Sequence, residues 1–136
     1  LKVALVAGFA LLASQPAESA APPGWCRTHP DRVGPCRQIH GRLGAYNGNP
    51  TLRIWIVGTR RMLGVRGRTY EETENGEDLP ANVYEYMGPN AFDFGANGFP
   101  ARVYGEFRIC PLSRERPGHM QYVCVDRAGG LYRERP

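Results

Sequence analysis

Two alternating runs around one turn cluster constrain this chain more than any other feature. Ile39, Gly41, Leu43 and Ala45 alternate with Gln38, His40, Arg42 and Tyr46, the two-residue period of a half-buried strand. Asn47-Gly48-Asn49-Pro50 follows, a cluster that punctuates strands. Residues 51–57 alternate again, with Leu52, Ile54 and Ile56 between Thr51, Arg53, Trp55 and Val57. A hairpin with Gly48-Asn49 as its two-residue loop pairs Gly41 with Ile56, Arg42 with Trp55, Leu43 with Ile54 and Ala45 with Leu52. Every apolar partner then lands on one face, so the turn and the pattern require the same register.

The rest of the chain extends this into a mainly β domain. Residues 62–66 form a short third strand, and 103–112 and 120–126 form the last two. Placing Cys110 opposite Cys124 sets Ile109 against Val125 and Arg108 against Asp126, sensible cross-strand pairs. Between strands 3 and 4, Asp78-Leu79-Pro80 opens a short helix with Asp78 as N-cap. Leu79, Val83 and Met87 share its buried side, while Val83-Tyr84-Glu85-Tyr86 also suits a strand. The expected fold is all-β: a small antiparallel five-stranded barrel, OB-like in strand order, with Gly41 and Gly44 where a long first strand bends.

Residues 1–20 carry one Lys, an apolar run over 3–13, Pro16 and small residues before Ala21. These are the three regions of a secretory signal peptide, and the run is too short to span a membrane. The mature chain is expected to start between Ala20 and Pro22. Residues 21–35, with four prolines, read as an irregular arm, 36–126 as a single β domain and 127–136 as a flexible C-terminal tail. Cys26, Cys36, Cys110 and Cys124 all lie after the signal, an even number that implies two disulfides in an exported protein. The strand register favours Cys110–Cys124 and hence Cys26–Cys36. No cysteine pair has zinc-knuckle spacing, so no metal is expected. The predicted location is the bacterial periplasm or the extracellular space.

The string Gly41-Arg42-Leu43, Tyr46-Asn47-Gly48, Arg53-Ile54-Trp55, Val57-Gly58-Thr59-Arg60-Arg61 and Leu63-Gly64-Val65 resembles a stretch of small exported bacterial proteins of unassigned function. The resemblance covers residues 36–66 and implies no activity.

Catalytic motifs are sparse. Ser113 is the single serine after the signal, and Lys2 is the chain's single lysine. No nucleophile elbow surrounds the one, and no Schiff-base lysine follows the other. Reading 71–78 as a calcium loop fails because Asn82 stands where a bidentate Glu is required. Basic character is carried by arginine: of 17 basic residues all but Lys2 are Arg, and the net charge is +4. That charge is too mild to indicate nucleic acid.

The outer face of the first hairpin interleaves guanidinium groups with aromatic planes. Arg42, Tyr46, Arg53 and Trp55 share it, and Arg60 and Arg61 lie just beyond. The expectation is a non-enzymatic binding or interaction module whose ligand is anionic, carbohydrate or protein. No cofactor, no nucleic-acid partner and no stable membrane insertion after signal removal are expected. Two alternatives stand beside it. One is a small periplasmic hydrolase using His40 and a carboxylate in a pocket; the other is a structural envelope component with an exposed edge strand.

Overall fold

The computed structural model describes residues 24–68, 79–88, 91–92 and 101–133. The signal segment, the acidic loop 71–78 with its cap residue Asp78, and residues 134–136 lie outside the described residues. The chain runs through a 3-10 helix (Trp25–Thr28), β1 (Arg37–Ala45), β2 (Leu52–Ile56), β3 (Met62–Val65), α1 (Ala81–Met87), β4 (Arg102–Pro111) and β5 (Gln121–Arg133). The five strands close into a barrel in the order β1-β2-β3-β5-β4.

The first hairpin has the register its pattern requires: Gly41 pairs with Ile56, Arg42 with Trp55, Leu43 with Ile54 and Ala45 with Leu52. The two-residue loop is corrected to four. Tyr46 N–H donates to Thr51 O at 2.8 Å, which leaves Asn47 to Pro50 as the loop. Pro50 is buried and folds onto Gly64 of β3, where a Cβ would meet its Cγ at 2.6 Å.

The barrel is not wholly antiparallel, because β3 pairs with β5 in parallel. The reason is parity. Strand direction cannot alternate all the way round a closed ring of five, so one neighbouring pair must run the same way. Side chains pointing inward fill the barrel: Leu43, Ile54, Leu63, Val65, Val103, Phe107, Ile109, Val123 and Val125 are fully buried, each worth about 1.5–3 kcal/mol on removal from water. Gly41 also faces inward. A Cβ there would lie 2.5 Å from Ile54 Cγ2, so Ile54 occupies the space a side chain would need. Leu79, Val83 and Met87 are buried against this core, and residues 83–86 are helical. The helix begins at Ala81 with Pro80 at its N-cap and no side-chain cap, later than the Asp78 cap implies.

The last strand does not end at Asp126 in a loose tail. It continues to Arg133. Gly105 makes room for Leu131, whose Cδ2 lies 2.7 Å from where a glycine Cβ would be. The extension also holds α1: Asn82 Nδ2 donates to Ala128 O at 2.7 Å and Arg133 Nη2 to Met87 O at 3.1 Å.

The disulfides are Cys26–Cys124 and Cys36–Cys110, which corrects the expected pairing. Cys110 does sit opposite Cys124, and Ile109 opposite Val125. However, Cys36 is one step beyond the β1–β4 pair Arg37↔Ile109, so Cys110 has a cysteine on each side. The 3-10 helix then lays Cys26 over Cys124. Its Sγ and those of Cys110 and Cys124 lie within 4.8 Å of one another. The arm is therefore partly helical and packed: the three residues are fully buried, with Trp25 and Leu112 against them. Two disulfides fit an oxidising, exported setting. No helix among the described residues is long and apolar enough to cross a membrane.

Candidate functional site

Cross-strand pairing builds one transverse row on the barrel's outer surface. Tyr132 of β5 pairs with Tyr104 of β4, Tyr104 with Arg42 of β1, Arg42 with Trp55 of β2, and Trp55 with Met62 of β3. Neighbouring strands are about 4.8 Å apart, so the row runs about 19 Å from end to end. The next row, two residues along, is Arg102, Gly44, Arg53 and Gly64. On the other side His40 pairs with Glu106.

Within these rows the ring faces are already in use. Arg42 Cζ lies 4.9 Å from the Trp55 ring centroid and Arg53 Cζ 5.3 Å from that of Tyr46. Tyr104 and Tyr132 stack at 5.2 Å with planes 8° apart. Trp55 is half-buried rather than in the core. Its Nε1–H donates to Thr59 O at 2.8 Å. What the face offers to solvent is therefore ring edges, hydroxyls and guanidinium N–H groups more than open aromatic planes. Burial acts to lower the pKa of Arg42, but hydrogen bonds to the Tyr104 and Tyr46 side chains outweigh it and hold the guanidinium above its ordinary value. Arg42 thus remains a cation at any pH the fold meets.

Four of the six residues singled out from the sequence, Arg42, Tyr46, Arg53 and Trp55, share this surface. Arg60 and Arg61 do not join them. They line a groove of about 420 Å³ at the end of the row, between the β2–β3 connection and the β4–β5 loop, with Met62, Arg116, His119 and Met120. Arg61 is engaged there, donating to Gln121 Oε1 at 2.9 Å and pairing with Glu115 at 3.3 Å. Met62, the partner of Trp55, lines the groove as well, so the row and the groove are continuous.

Sequence reasoning missed Tyr104, Tyr132 and Arg102. Tyr104 and Glu106 alternate with Val103, Gly105 and Phe107, a signal that marks an outer face. Only the β1–β4 register, between strands far apart in the chain, brings that face beside Arg42.

His40 does meet a carboxylate. Its Nδ1 is 2.7 Å from Glu106 Oε1, and its Nε2 is 3.1 Å from Tyr132 Oη. The group stands on the open surface rather than in a pocket, with side chains 39% and 47% exposed for His40 and Glu106.

The chain matches no protein-family model, no curated protein and no solved structure.

Proposed function

We propose that this chain is an exported, non-enzymatic binding module of the periplasm or extracellular space, and that its ligand lies across the outer row of the barrel. One observation carries the reading: Tyr132, Tyr104, Arg42, Trp55 and Met62 form a row across the barrel's outer surface that ends at the groove lined by Arg60, Arg61 and Met62. The strand order, with β3 beside β5 and α1 following β3 in the chain, supports an OB-like barrel. Such barrels bind through the strand 2–3 face and the adjoining loops. In this chain that region holds Trp55, Met62, Arg60 and Arg61. Because a neighbouring guanidinium or ring already stacks on Trp55, Tyr46 and Tyr104, the surface suits a ligand recognised through its anionic groups better than one recognised by sugar stacking alone.

The test is retention on immobilised glycans, with charged and neutral members of matched length. Charged glycans are expected to bind. Trp55→Ala should weaken binding by about 1–3 kcal/mol, the range for a central aromatic contact, and Arg53→Lys should weaken it because an ammonium lacks the planar fork. Equal retention of wild type and both variants would remove the reading.

The His40–Glu106 and His40–Tyr132 contacts give the hydrolase alternative its one support, since an imidazole oriented by a carboxylate is a general-base arrangement. Turnover of activated esters that His40→Ala abolishes would establish it.

A further inference from the structure

Three arginines from three adjacent strands lie near Tyr46. Arg53 of β2 stacks on its ring. The Tyr46 side chain also helps to hold the Arg42 guanidinium of β1 above its ordinary pKa. Arg102 of β4 comes from the far side of Gly44, which pairs with both Arg102 and Arg53. Gly44 has no side chain to separate them. Where its Cβ would be, Arg102 Cγ lies at 3.3 Å and Tyr46 Cε2 at 3.6 Å, so the Arg102 stem and the Tyr46 ring share the space above the glycine.

Among the described residues no carboxylate pairs with Arg53 or Arg102. Arg53 uses its Nε–H on Pro50 O at 2.9 Å, which leaves four of its five N–H donors. Elsewhere the same fold supplies acids to its arginines: Glu115 to Arg61, and Asp126 to Arg27, Arg108 and Arg127. Cations gathered on three neighbouring strands repel one another, and an anion seated among them would relieve that repulsion. One guanidinium fork satisfies a planar carboxylate. Three forks arriving from three strands instead match an oxyanion with three terminal oxygens.

We infer that Arg42, Arg53 and Arg102, gathered over Gly44 and around Tyr46, form a binding site for a tetrahedral oxyanion, a phosphate or sulfate group free or esterified on a larger ligand. The inference rests on the binding reading above and names the ligand group that this end of the face recognises.

The experiment is titration of the oxidised protein, followed by side-chain Nε resonances of arginine, with inorganic phosphate, sulfate, glycerol phosphate and acetate at constant ionic strength. Saturable shifts of Arg53 and Arg102 are expected with the tetrahedral anions. Acetate should bind about tenfold more weakly, the scale set by one or more lost charge-assisted hydrogen bonds. Arg102→Gln should weaken phosphate binding by about tenfold with an unchanged melting temperature, and Arg32→Gln, exposed on the amino-terminal arm, should leave it unchanged. Tighter binding of glycerol phosphate than of phosphate assigns the site to esterified groups, and equal binding assigns it to the free ion; either supports the site. Shifts that do not saturate, acetate binding as well as phosphate, or an Arg102→Gln variant with wild-type affinity would overturn it. If glycans remain bound through Trp55 in that case, the site alone fails. If they do not bind either, the binding reading fails with it.

Discussion

Two places on this barrel gather three arginines each, and they differ in what lies at the centre. At one, Arg27, Arg108 and Arg127 surround the carboxylate of Asp126 at 3.5, 3.5 and 4.0 Å, and that carboxylate is fully buried. At the other, Arg42, Arg53 and Arg102 lie near the ring of Tyr46. Asp126 is the extra residue where the β4–β5 register shifts, so that Arg108 lies opposite Arg127. The bulge turns its carboxylate under the 3-10 helix that carries Arg27. The first cluster contains its own counter-charge and ties the amino-terminal arm to the barrel. In the second, no described carboxylate pairs with Arg53 or Arg102. Arginine content alone therefore says little about function here; what matters is whether the fold supplies the acid.

If the Asp126 end is a structural clamp, the largest losses of stability should come from there. Replacing Cys26 and Cys124 by Ser opens a link spanning 98 residues. With Cys36–Cys110 still closed, the loop released runs only through residues 26–36 and 110–124, and the expected cost is about 3.5 kcal/mol from chain entropy, read by urea denaturation of the variant against wild type. A loss below about 1 kcal/mol would mean that the arm contributes little. Peptide mapping without reduction should also recover Cys26 joined to Cys124 and Cys36 to Cys110.

Asp126→Ala should cost less, about 2 kcal/mol. Removing one partner of a buried pair costs more than that in a dry interior, but Arg27 and Arg108 are nearly half exposed and water screens them once the acid is gone. Full stability in Asp126→Ala would erase the contrast between the two clusters.

How much of this contrast was legible in sequence follows from distance along the chain. The β1–β2 register was readable residue by residue, because turn and alternation lie within twenty residues and constrain one another. The pairing of Cys110 with Cys124 in register was readable for the same reason. Which cysteine each one bonds was not, because Cys110 lies between Cys36 and Cys124 and only the placement of the 3-10 helix decides. The extension of β5 to Arg133 was hidden by Gly129-Gly130 and the charged residues around them, which read as a tail. Its support comes from Gly105, on another strand, making space for Leu131. Arg102 and Tyr104 entered the candidate face by the same route, through a β1–β4 pairing that no local pattern encodes.

Gly64→Ala tests how firmly the polar face is held. An alanine Cβ would lie 2.6 Å from Pro50 Cγ and 3.0 Å from Met120 Sδ and Tyr122 Cδ1. Pro50 would have to lift, carrying with it the carbonyl that accepts from Arg53 Nε–H. Overpacking of this kind costs about 1–3 kcal/mol, measurable by thermal unfolding. A loss of ligand binding larger than the loss of stability would show that the seating of Arg53 on the turn matters to the face.

The smallest expected effect separates the two clusters most sharply. Arg102→Gln removes a guanidinium that no described carboxylate pairs with, and Arg108→Gln removes one that faces Asp126 at 3.5 Å. Both side chains are on β4 and exposed, so strand position and burial are matched. Arg108→Gln should lower stability by about 1 kcal/mol, toward the upper end for an exposed partner. Arg102→Gln should change it by less than about 0.5 kcal/mol, as for surface substitutions outside any network. Salt gives the sign. Added sodium chloride screens both kinds of interaction. It should weaken the attraction around Asp126 and relieve the repulsion around Tyr46. Relative to wild type, the deficit of Arg108→Gln should therefore shrink as salt rises. Any advantage of Arg102→Gln at low salt should fade over the same range. Urea denaturation of the three proteins at low and high sodium chloride reads both trends. If Arg102→Gln behaves like Arg108→Gln at every salt concentration, the cluster at Tyr46 contains a counter-charge after all and the distinction drawn between the two ends of the molecule is lost.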